Sequence, residues 1–324
     1  MKYERIRTVA FFLLIATLAS IASGADSAER RMTAERFRDY IRLLNEENPR
    51  YADYYTSDIT LGLDARVRGR EGMLAFDREL RRDLVVTLTP EEIYIDDRND
   101  ALAAIVTLRE VARRDGVKLG SRTEAAHRGD ALVSHTVLFY GLVNGSISSV
   151  RAARSEGKLE HVDPATAAAE APKPSDLLLP MPATVKEPRM SREKFADYAM
   201  LFTRFDPRFV EYYVPDVLFA TLPAKQPLHG RQAILDLYIP IRRYLDEHVT
   251  PGTVVVDSRQ NTMIAEIHNR MTATRGDVPL PSRTLKQGDV RDGWGVIHYG
   301  LRDGRISAIH GINMNETFEP AVPR

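Results

Sequence analysis

Two periods of apolar and polar residues follow one another along the second half of this chain. Behind Ser191, an expected N-cap like Thr33 earlier in the chain, apolar residues recur at helical spacing, namely Phe195, Tyr198, Ala199 and Phe202. A short helix is predicted over 209–213 and a strand over 217–222. A third helix is predicted over 232–245, with a kink at its proline because proline lacks the backbone N–H.

From residue 253 onward the period becomes two, which is typical of strands with one buried face. The predicted strands are 253–256, 262–272, 283–290, 294–301 and 305–312. Asp303-Gly304 joins the last two strands and predicts a type I′ hairpin, because both residue types tolerate positive φ. Helices followed by a mainly antiparallel sheet indicate an α+β fold.

The same order of residues occurs earlier in the chain. Residues 32–40 match 190–198, and Asn144-Gly145 takes the place of Asp303-Gly304. Further matches are Gly69-Arg70 with Gly230-Arg231, Ser121-Arg122-Thr123 with Ser282-Arg283-Thr284, and Tyr140-Gly141-Leu142 with Tyr299-Gly300-Leu301. The offset drifts only from 158 to 161 and back to 159, which short loop insertions explain. An ordered repeat of this length predicts two homologous domains.

The domain limits follow from the repeat and from changes of composition. We expect the first domain over 26–154 and the second over 190–316, followed by a tail over 317–324. Between the domains, 155–189 is rich in alanine and proline, which bury little apolar area and remove backbone donors. This segment is predicted to be a semi-extended linker.

The N-terminal residues have the pattern of a secretory signal peptide over 1–25. Three basic residues within the first seven positions precede an uncharged apolar run over 9–22 and a stretch of small residues. The apolar run falls short of the roughly 20 residues that a membrane-spanning helix needs. We therefore expect cleavage near Gly24 or Ala25, no stable membrane insertion afterwards, and a periplasmic or secreted mature protein.

The composition narrows the chemistry. The 324 residues include 45 basic and 45 acidic side chains, 44% apolar residues and no cysteine. This balance supports buried cores and a soluble surface, and it offers no basic face for nucleic acid. A chain without cysteine has no disulfide, thiolate metal site or cysteine nucleophile. The sequence also has no phosphate-binding glycine loop, Gly-x-Ser-x-Gly elbow or His-Glu-x-x-His helix. Any catalysis must use carboxylate, imidazole, phenol or guanidinium groups.

Three runs of residues in the second copy carry a family resemblance. They are Phe209-x-x-Tyr212-Tyr213-x-x-Asp216-Val217, Pro227-Leu228-His229-Gly230-Arg231-Gln232-Ala233-Ile234 and Tyr299-Gly300-Leu301-Arg302-Asp303-Gly304-Arg305-Ile306. The first copy carries a thinner version, in Tyr51-x-x-Tyr54-Tyr55-x-x-Asp58-Ile59, Arg68-Gly69-Arg70-Glu71-Gly72-Met73 and Asn144-Gly145-Ser146-Ile147. In these runs the chain resembles the SnoaL-like family of the nuclear-transport-factor-2-like (ketosteroid isomerase-like) superfamily.

The resemblance implies a fold and a style of chemistry. Each copy would be a cone-shaped α+β barrel, in which a curved sheet wraps around helices and leaves a pocket at its wide end. Family members are mostly homodimers, so two tandem copies would form an intramolecular pseudo-dimer, with further oligomers left open. Their acid–base chemistry on small cyclic substrates needs no cofactor. A fold used for so many activities does not name a reaction.

Strand alternation places Glu266, His268 and Arg270 on one face of the predicted strand 262–272 and apolar residues on the other. A carboxylate, an imidazole and a guanidinium at this spacing tune one another's pKa and exchange protons with a bound substrate. The alternative is a polar face that is solvated or buried between the domains. His298 lies on a neighbouring strand and is expected to join this group.

Most of the ionisable set is missing from the first copy. The aligned positions hold Ile105, Thr107, Arg109, His135, Phe139 and Arg151 in place of Glu266, His268, Arg270, Trp294, His298 and His310. The second domain is therefore expected to hold the working pocket and the first domain to support it. Divergence without a function in either copy is the alternative.

These observations assign roles to named side chains. His268 is the expected general base, oriented by Glu266, while Arg270 or His298 stabilises developing oxyanion charge. The expected substrate-binding residues are Tyr198, Tyr213, Trp294 and His310. The two tyrosines have counterparts in the first copy, Tyr40 and Tyr55, which favours a shared packing role for them.

The resulting hypothesis is an exported, cofactor-independent acid–base enzyme of the isomerase, dehydratase, cyclase or epoxide-hydrolase type. Its substrate would be a small, mostly apolar cyclic or aromatic compound. No metal is expected, because the acidic and histidine residues lack a metal-ligand spacing. The alternative is a non-catalytic ligand-binding or scaffold protein built from two such domains. The direction of the ionisable side chains relative to a pocket distinguishes the two hypotheses.

Overall fold

The structure, a computed structural model, describes residues 31–62, 67–120, 122, 124–154, 157–161, 189–220, 226–280, 283–312 and 316–320. The predicted signal peptide and most of the predicted linker lie outside these residues. No helix among the residues that the structure describes is long and apolar enough to cross a membrane.

Helix α1 opens the first half, and Thr33 caps it as predicted by accepting a hydrogen bond from the Arg36 N–H at 3.1 Å. The elements of this half are α1 (Ala34–Asn45), a 3-10 helix (Pro49–Tyr54), β1 (Tyr55–Leu61), α2 (Gly69–Asp83), β2 (Leu84–Asp96), β3 (Ala101–Ala112), β4 (Val117–Lys118), β5 (Ala125–Ala126), β6 (Asp130–Val143), β7 (Ser146–Arg154) and β8 (Lys158–His161).

Helix α3 opens the second half in the same way, with Ser191 accepting from the Lys194 N–H at 3.1 Å. The elements of this half are α3 (Arg192–Thr203), a 3-10 helix (Pro207–Tyr212), β9 (Tyr213–Ala220), β10 (Leu228–His229), α4 (Arg231–Arg242), β11 (Leu245–Asp257), β12 (Thr262–Ala273), β13 (Val278–Pro279), β14 (Thr284–Leu285), β15 (Val290–Arg302), β16 (Arg305–Ile312) and β17 (Glu316–Glu319). The repeat in the sequence is therefore a repeat of elements.

Each half forms its own large sheet with the same topology. The strand order is β1-β7-β6-β3-β2 in the first sheet and β10-β9-β16-β15-β12-β11 in the second. Strand β8 pairs with β6, and β17 pairs with β15. Among the described strands, β1 with β7 and β9 with β16 pair in parallel, and the other pairs are antiparallel. The expected fold class, two tandem α+β domains, is confirmed.

Helices cover one face of each sheet, called here the inner face. Helix α1 packs on β2 and helix α3 on β11. Aromatic side chains fill the space between helix and sheet in both domains, since the second core contains Phe195, Phe209 and Tyr299, all nearly inaccessible to solvent. The predicted hairpins also form, because Asn144 and Asp303 adopt φ of 49° and 52° and are each followed by glycine at positive φ.

Some predicted boundaries are wrong. Helix α4 ends at Arg242, and Leu245, which the helical pattern included, begins strand β11. Strands β11 and β15 are longer than predicted, because a strand continues beyond its alternating segment where neighbouring strands supply hydrogen bonds. Strand β8 lies within the segment predicted as linker, and its pairing with β6 extends the first sheet to His161.

The opposite, outer faces of the two sheets pack against each other. The buried apolar residues of this contact come from both domains and are Tyr94, Ala101, Ala103, Ile105, Val137, Phe139, Val255, Ile264 and Val296. Each sheet is therefore buried on two sides near its centre, once against its own helices and once against the other domain.

Reciprocal hydrogen bonds join the domains at the edge of this contact. The Asp257 carboxylate accepts from the Ile95 N–H at 3.0 Å, and the Asp96 carboxylate accepts from the Val256 N–H at 3.4 Å. Asp96 and Asp257 occupy the same position in the two copies. Equivalent residues that contact each other's neighbours define an isologous interface, here within one chain. The two domains thus form the expected pseudo-dimer.

Candidate functional site

The polar face that the sequence predicted on β12 is the outer face of the second sheet. Met263, Ala265 and Ile267 pack into the inner core of the second domain, whereas Ile264 packs against the first domain. Because side chains alternate along a strand, Glu266, His268 and Arg270 share the outer face with Ile264. These residues share one face as predicted, but it is not the face covered by the helices.

Glu266 lies in the contact between the domains. Its carboxylate accepts from both terminal nitrogens of Arg151 of the first domain, with 2.7 Å between Arg151 Nη2 and Glu266 Oε2. The Arg151 guanidinium also covers the ring of Phe139 at 5.0 Å. A Cβ atom at Gly252 would lie 2.5 Å from this carboxylate, so glycine leaves the space that Glu266 occupies. The geometry gives Glu266 the role of an interdomain ion pair.

His268 and Arg270 lie farther along the outer face, in the part left open by the first domain. The His268 ring stacks on Trp294 with 4.3 Å between centroids, and its Nε2 lies 2.6 Å from Asp292. Arg270 lies 3.7 Å from the same Asp292 carboxylate. Trp294 is 48% exposed. The expected pairing of His268 with Glu266 is wrong, because the acid that contacts this imidazole is Asp292.

His298 and His310 are neighbours on the outer face, opposite each other in the pairing of β15 with β16. His298 is buried, and its Nε2 lies 3.9 Å from the Glu92 carboxylate of the first domain. Burial and, to a smaller extent, the neighbouring His310 lower the pKa of His298 to about 4. The alternative of a polar face between the domains therefore describes Glu266 and His298.

The inner face of the second domain holds a different polar group, made of Glu247, Arg242 and Asn269. Arg242 Nη1 lies 3.3 Å from the Glu247 carboxylate, and Asn269 Nδ2 donates to the same carboxylate at 2.9 Å. The side chains of Arg242 and Glu247 are 5% and 2% exposed. We call these three residues the inner polar group.

Burial raises the pKa of Glu247, because a desolvated carboxylate favours its neutral form. The positive charge of Arg242 and the hydrogen bond from Asn269 act in the opposite direction. The Asn269 oxygen is also buried, and it has no hydrogen-bond partner among the described residues. A buried carboxylate with a raised pKa thus lies beside a buried oxygen that has no hydrogen-bond partner among the described residues.

Comparison with the first domain shows which contacts of the inner polar group occur in both copies. Arg81 occupies the position of Arg242, and both donate to a backbone carbonyl at the end of the first helix of their domain and to one at the start of the next strand. Their carboxylate partners differ. Arg81 pairs with Asp77 on its own helix at 2.9 Å, whereas Arg242 pairs with Glu247 on strand β11. The arginine is therefore a shared structural feature, whereas the second domain adds the pair of this arginine with Glu247 of strand β11.

The first domain has apolar residues at three positions that are polar in the second domain. The counterparts of Glu247, Asn269 and Arg291 are Val86, Leu108 and Leu132, which form a buried apolar cluster. Arg291 points along the same inner surface, where its Nε donates to Glu316 at 2.7 Å and its guanidinium lies 3.6 Å from the position of a Cβ at Gly293. The second sheet thus has Glu247, Asn269 and Arg291 where the first has valine and leucine, although the first sheet keeps a buried carboxylate, Glu110, opposite Val86.

Two glycines open the inner face of the second domain. Gly293 and Gly295 take the places of Ser134 and Thr136, which are 2% and 1% exposed in the first domain. A Cβ atom at Gly295 would meet no heavy atom within 4 Å. The residues around this point are partly exposed, and they are Val249, Asn269, Arg291 and Ile297. The second domain therefore has accessible space beside the inner polar group.

Tyr198 and Tyr213 lie in the inner core and contact each other, with 2.8 Å between their hydroxyl oxygens. Burial raises the pKa of Tyr198 and that of Tyr213. Tyr40 and Tyr55 make the same contact in the first domain at 3.0 Å. A contact present in both copies supports the packing interpretation of these tyrosines.

No group of three or more histidine, aspartate or glutamate residues among the described residues has the geometry of a metal site. The inner polar group also suits organic ligands better than a cation, because Arg242 already neutralises its carboxylate.

Known structures resemble about one third of this chain each. A candidate polyketide cyclase from Xanthomonas campestris pv. campestris is 19% identical over 35% of this chain and 82% of its own, with a TM-score of 0.31. The epoxide hydrolase/cyclase-like enzyme SalBIII, of pyran ring formation in salinomycin, is 16% identical over 37% and 87%, with a TM-score of 0.30. An NTF2-like protein from Cytophaga hutchinsonii is 13% identical over 39% and 92%, with a TM-score of 0.28. The chain is similar in fold to the nuclear-transport-factor-2-like superfamily. No protein-family model and no curated protein sequence matches it.

Sequence reasoning missed Glu247, Asn269 and Arg291 of the second domain. Glu247 lay outside the predicted strands, in the segment between the third helix and residue 253. A signal was nevertheless present, because the aligned residues of the first copy are Val86, Leu108 and Leu132. A charged or amide residue at a position that is apolar in the other copy marks a buried polar group, and buried polar groups need a reason.

Proposed function

We propose that the second domain is a cofactor-independent acid–base enzyme that binds a small, mostly apolar cyclic or aromatic compound on its inner face. The observation that carries this proposal is the contrast between the copies. Beside the inner polar group the second domain has accessible space, whereas the aligned residues Val86, Leu108 and Leu132 of the first domain are apolar and buried. The first domain then acts as support, since it buries the outer face of the working sheet.

Charge and lining favour a neutral ligand. Arg242 is paired with Glu247 and Arg291 with Glu316, so both arginines on this surface are already neutralised. The accessible neighbours Val249 and Ile297 are apolar. A neutral ring with one polar substituent matches these surroundings, because its apolar atoms are desolvated and its substituent reaches Asn269.

Glu247 takes the role that the sequence gave to His268. A carboxyl group whose pKa is raised by burial donates or accepts a proton more readily near neutral pH than an exposed one. Asn269 holds this carboxyl and aligns the ligand, and the Arg291 guanidinium stabilises negative charge that develops on the substrate. This set suits isomerisation, dehydration, cyclisation or hydration.

A non-catalytic ligand carrier is the second candidate. It is favoured by the placement of Glu266 and His298 in the domain contact, where they hold the two domains rather than a substrate. A carrier binds on the same inner face but produces no turnover. Measurement of product formation for a compound that binds therefore decides between the two.

We also propose export of the protein through its N-terminal segment. The basic start and the short apolar run support this. N-terminal sequencing of the mature protein from the producing cells tests it, with a start after Gly24 or Ala25 as the expected result and a start at Met1 as the contrary one.

Binding on the inner face is tested by closing it. We expect Gly295→Leu to lower ligand affinity at least about tenfold, because the new side chain enters accessible space beside Asn269. The measurement is the thermal shift of the full chain with neutral cyclic ketones, epoxides, lactones and phenols. Gly72→Leu is the matched control, since a Cβ there also meets no heavy atom within 4 Å but lies on helix α2 of the first domain. Equal shifts for both variants would place the ligand elsewhere.

Proton transfer by Glu247 is tested with an isosteric change. For a compound that the protein converts, we expect Glu247→Gln to reduce kcat about 100-fold, because the amide cannot exchange the proton. The control is Glu110→Gln, which removes the buried carboxylate of the first domain that lies across from Val86. This variant should keep its turnover. If both variants lose activity equally, or neither does, Glu247 is not the acid–base group.

A further inference from the structure

The backbones of the two domains meet symmetrically, but the side chains at equivalent positions of the contact differ. At one corner the Arg151 guanidinium binds Glu266. At the equivalent corner His310 stands at the position of Arg151, and Ile105 stands at the position of Glu266. The charged pair is thus replaced by a second arrangement, made of His298, His310, Glu92 and Tyr94. We call these four residues the histidine corner.

The histidine corner is closed and sparsely bonded. His298 is 2% exposed, and its ring meets the ring of Tyr94 at 5.5 Å and 67°. Tyr94 donates its hydroxyl proton to Glu92 of the same strand. Within the described residues, neither His298 Nε2 nor His310 Nδ1 has a hydrogen-bond partner, although both atoms are buried. In the described part of the chain no hydrogen bond therefore holds His298 Nε2, and the nearest carboxylate oxygen, that of Glu92, lies 3.9 Å from it.

The charged and titratable groups facing the corner come from several elements. Strand β2 contributes Glu92 and Tyr94, with Glu91 behind them in contact with His135 at 3.2 Å. Strand β16 contributes His310, while β12 places the apolar Ile264 opposite His298. Asp257 of β11 acts on Tyr94, and Glu266 is neutralised by Arg151. Glu92 is thus the one carboxylate in direct reach of His298 among these groups.

Burial and the neighbouring Glu91 raise the pKa of Glu92, and its bond with Tyr94 acts in the opposite direction. Burial lowers the pKa of His298 to about 4. Burial thus disfavours the charged form of both groups, so an ion pair between Glu92 and a charged His298 is not favoured in the closed contact.

We propose that the histidine corner makes the contact between the two domains acid-sensitive. At neutral pH the uncharged His298 packs against the first domain and the contact is closed. Proton uptake by His298 favours an open arrangement, in which water solvates the imidazolium. Each domain keeps its own fold in this opening, because the inner cores lie on the other faces of the sheets.

Proton linkage gives the direction and the size of the effect of pH on the stability of the domain contact. A histidine with a pKa of 6.5 when open and about 4 when closed binds more protons in the open arrangement. Stability of the closed contact is then fully present above pH 6.5 and declines as the pH falls toward 4. Taken alone, His298 would raise the equilibrium constant for opening about 100-fold between pH 7 and pH 4. Glu92 acts in the opposite direction, because its pKa is raised in the closed contact and its proton is bound more tightly there.

Amide hydrogen exchange on the full chain measures this opening. The Ile95 and Val256 amides donate across the contact to Asp257 and Asp96, so they exchange when the domains separate. Their protection factors, corrected for the intrinsic pH dependence of exchange, should fall from pH 7 to pH 4 by up to about 100-fold, the limit that His298 alone would set. Amides hydrogen-bonded within a single domain, such as that of Ile267 on strand β12, should keep their protection.

His298→Phe isolates the contribution of the imidazole, and Phe139 at the same position of the first copy shows that a phenyl ring suits this contact. We expect at least a tenfold smaller loss of protection in this variant, with His298→Gln as the replacement if the phenylalanine variant does not fold. His248→Phe, at a 60% exposed histidine, should behave like the parent protein. A parent protein without the loss, or His298 variants with the same loss as the parent, would overturn the proposal.

Discussion

Glu247→Ala is expected to lower the free energy of unfolding of the second domain by about 3 kcal/mol, because it leaves the Arg242 guanidinium buried without its counter-charge. Three backbone carbonyls also accept hydrogen bonds from Arg242, and these bonds limit the loss of stability. Urea unfolding followed by the fluorescence of Trp294 measures it. Trp294 is the single tryptophan of the chain and lies in the second domain.

The matched control is Glu46→Ala, which breaks the pair of Glu46 with Arg42 on helix α1. Both side chains of that pair are about half exposed, so water and salt already screen it. This variant should unfold with little change. A Glu247→Ala protein as stable as the parent would show that the inner polar group contributes nothing to the fold, and its retention in one copy alone would then point more strongly to chemistry.

Val296→Asp is expected to separate the two domains. Val296 is fully buried in the contact between the sheets, and an unpaired carboxylate there destabilises the contact by about 4 kcal/mol. The inner core of the second domain lies on the other face of β15, so both domains should remain folded. Small-angle X-ray scattering should show an increased radius of gyration, while the far-ultraviolet circular dichroism stays unchanged.

Trp294→Asp supplies the comparison for this substitution. Trp294 lies two residues away on the same face of the same strand, but it is 48% exposed and outside the contact. It should leave the scattering curve as in the parent. If Val296→Asp also leaves the dimensions unchanged, the packing of the outer faces does not hold the two domains together.

Much of the fold was predictable from the sequence because it depends on local patterns. Helical spacing, the N-caps Thr33 and Ser191, and the hairpin turns each act over a few residues. Because the sequence repeats, the matched elements were supported by two separate stretches of the chain. Boundaries were less predictable: Leu245 continues the helical apolar stripe, yet it belongs to β11, where cross-strand hydrogen bonds to β12 decide the conformation.

The candidate site was predictable only in part. Strand alternation correctly grouped Glu266, His268 and Arg270, since the period of two is a property of the chain itself. It does not say which face the helices cover. The choice of face depended on where helices α3 and α4 pack and on the position of the first domain, which are both distant in sequence from β12. The inner polar group escaped because Glu247 follows a helix end, where periodicity is weakest.

By itself the sequence determined two α+β domains, their order of elements, and the chemistry open to a chain without cysteine. These depend on composition and on patterns that repeat within a few residues. Only the tertiary structure decided which side chains meet. It turned the predicted face of Glu266 and His298 toward the first domain, and it brought Glu247 and Asn269 of the sheet to Arg242 at the end of helix α4. The physical reason is that a sheet has two faces of equal period, and only packing distinguishes the face against the helices from the face against the other domain.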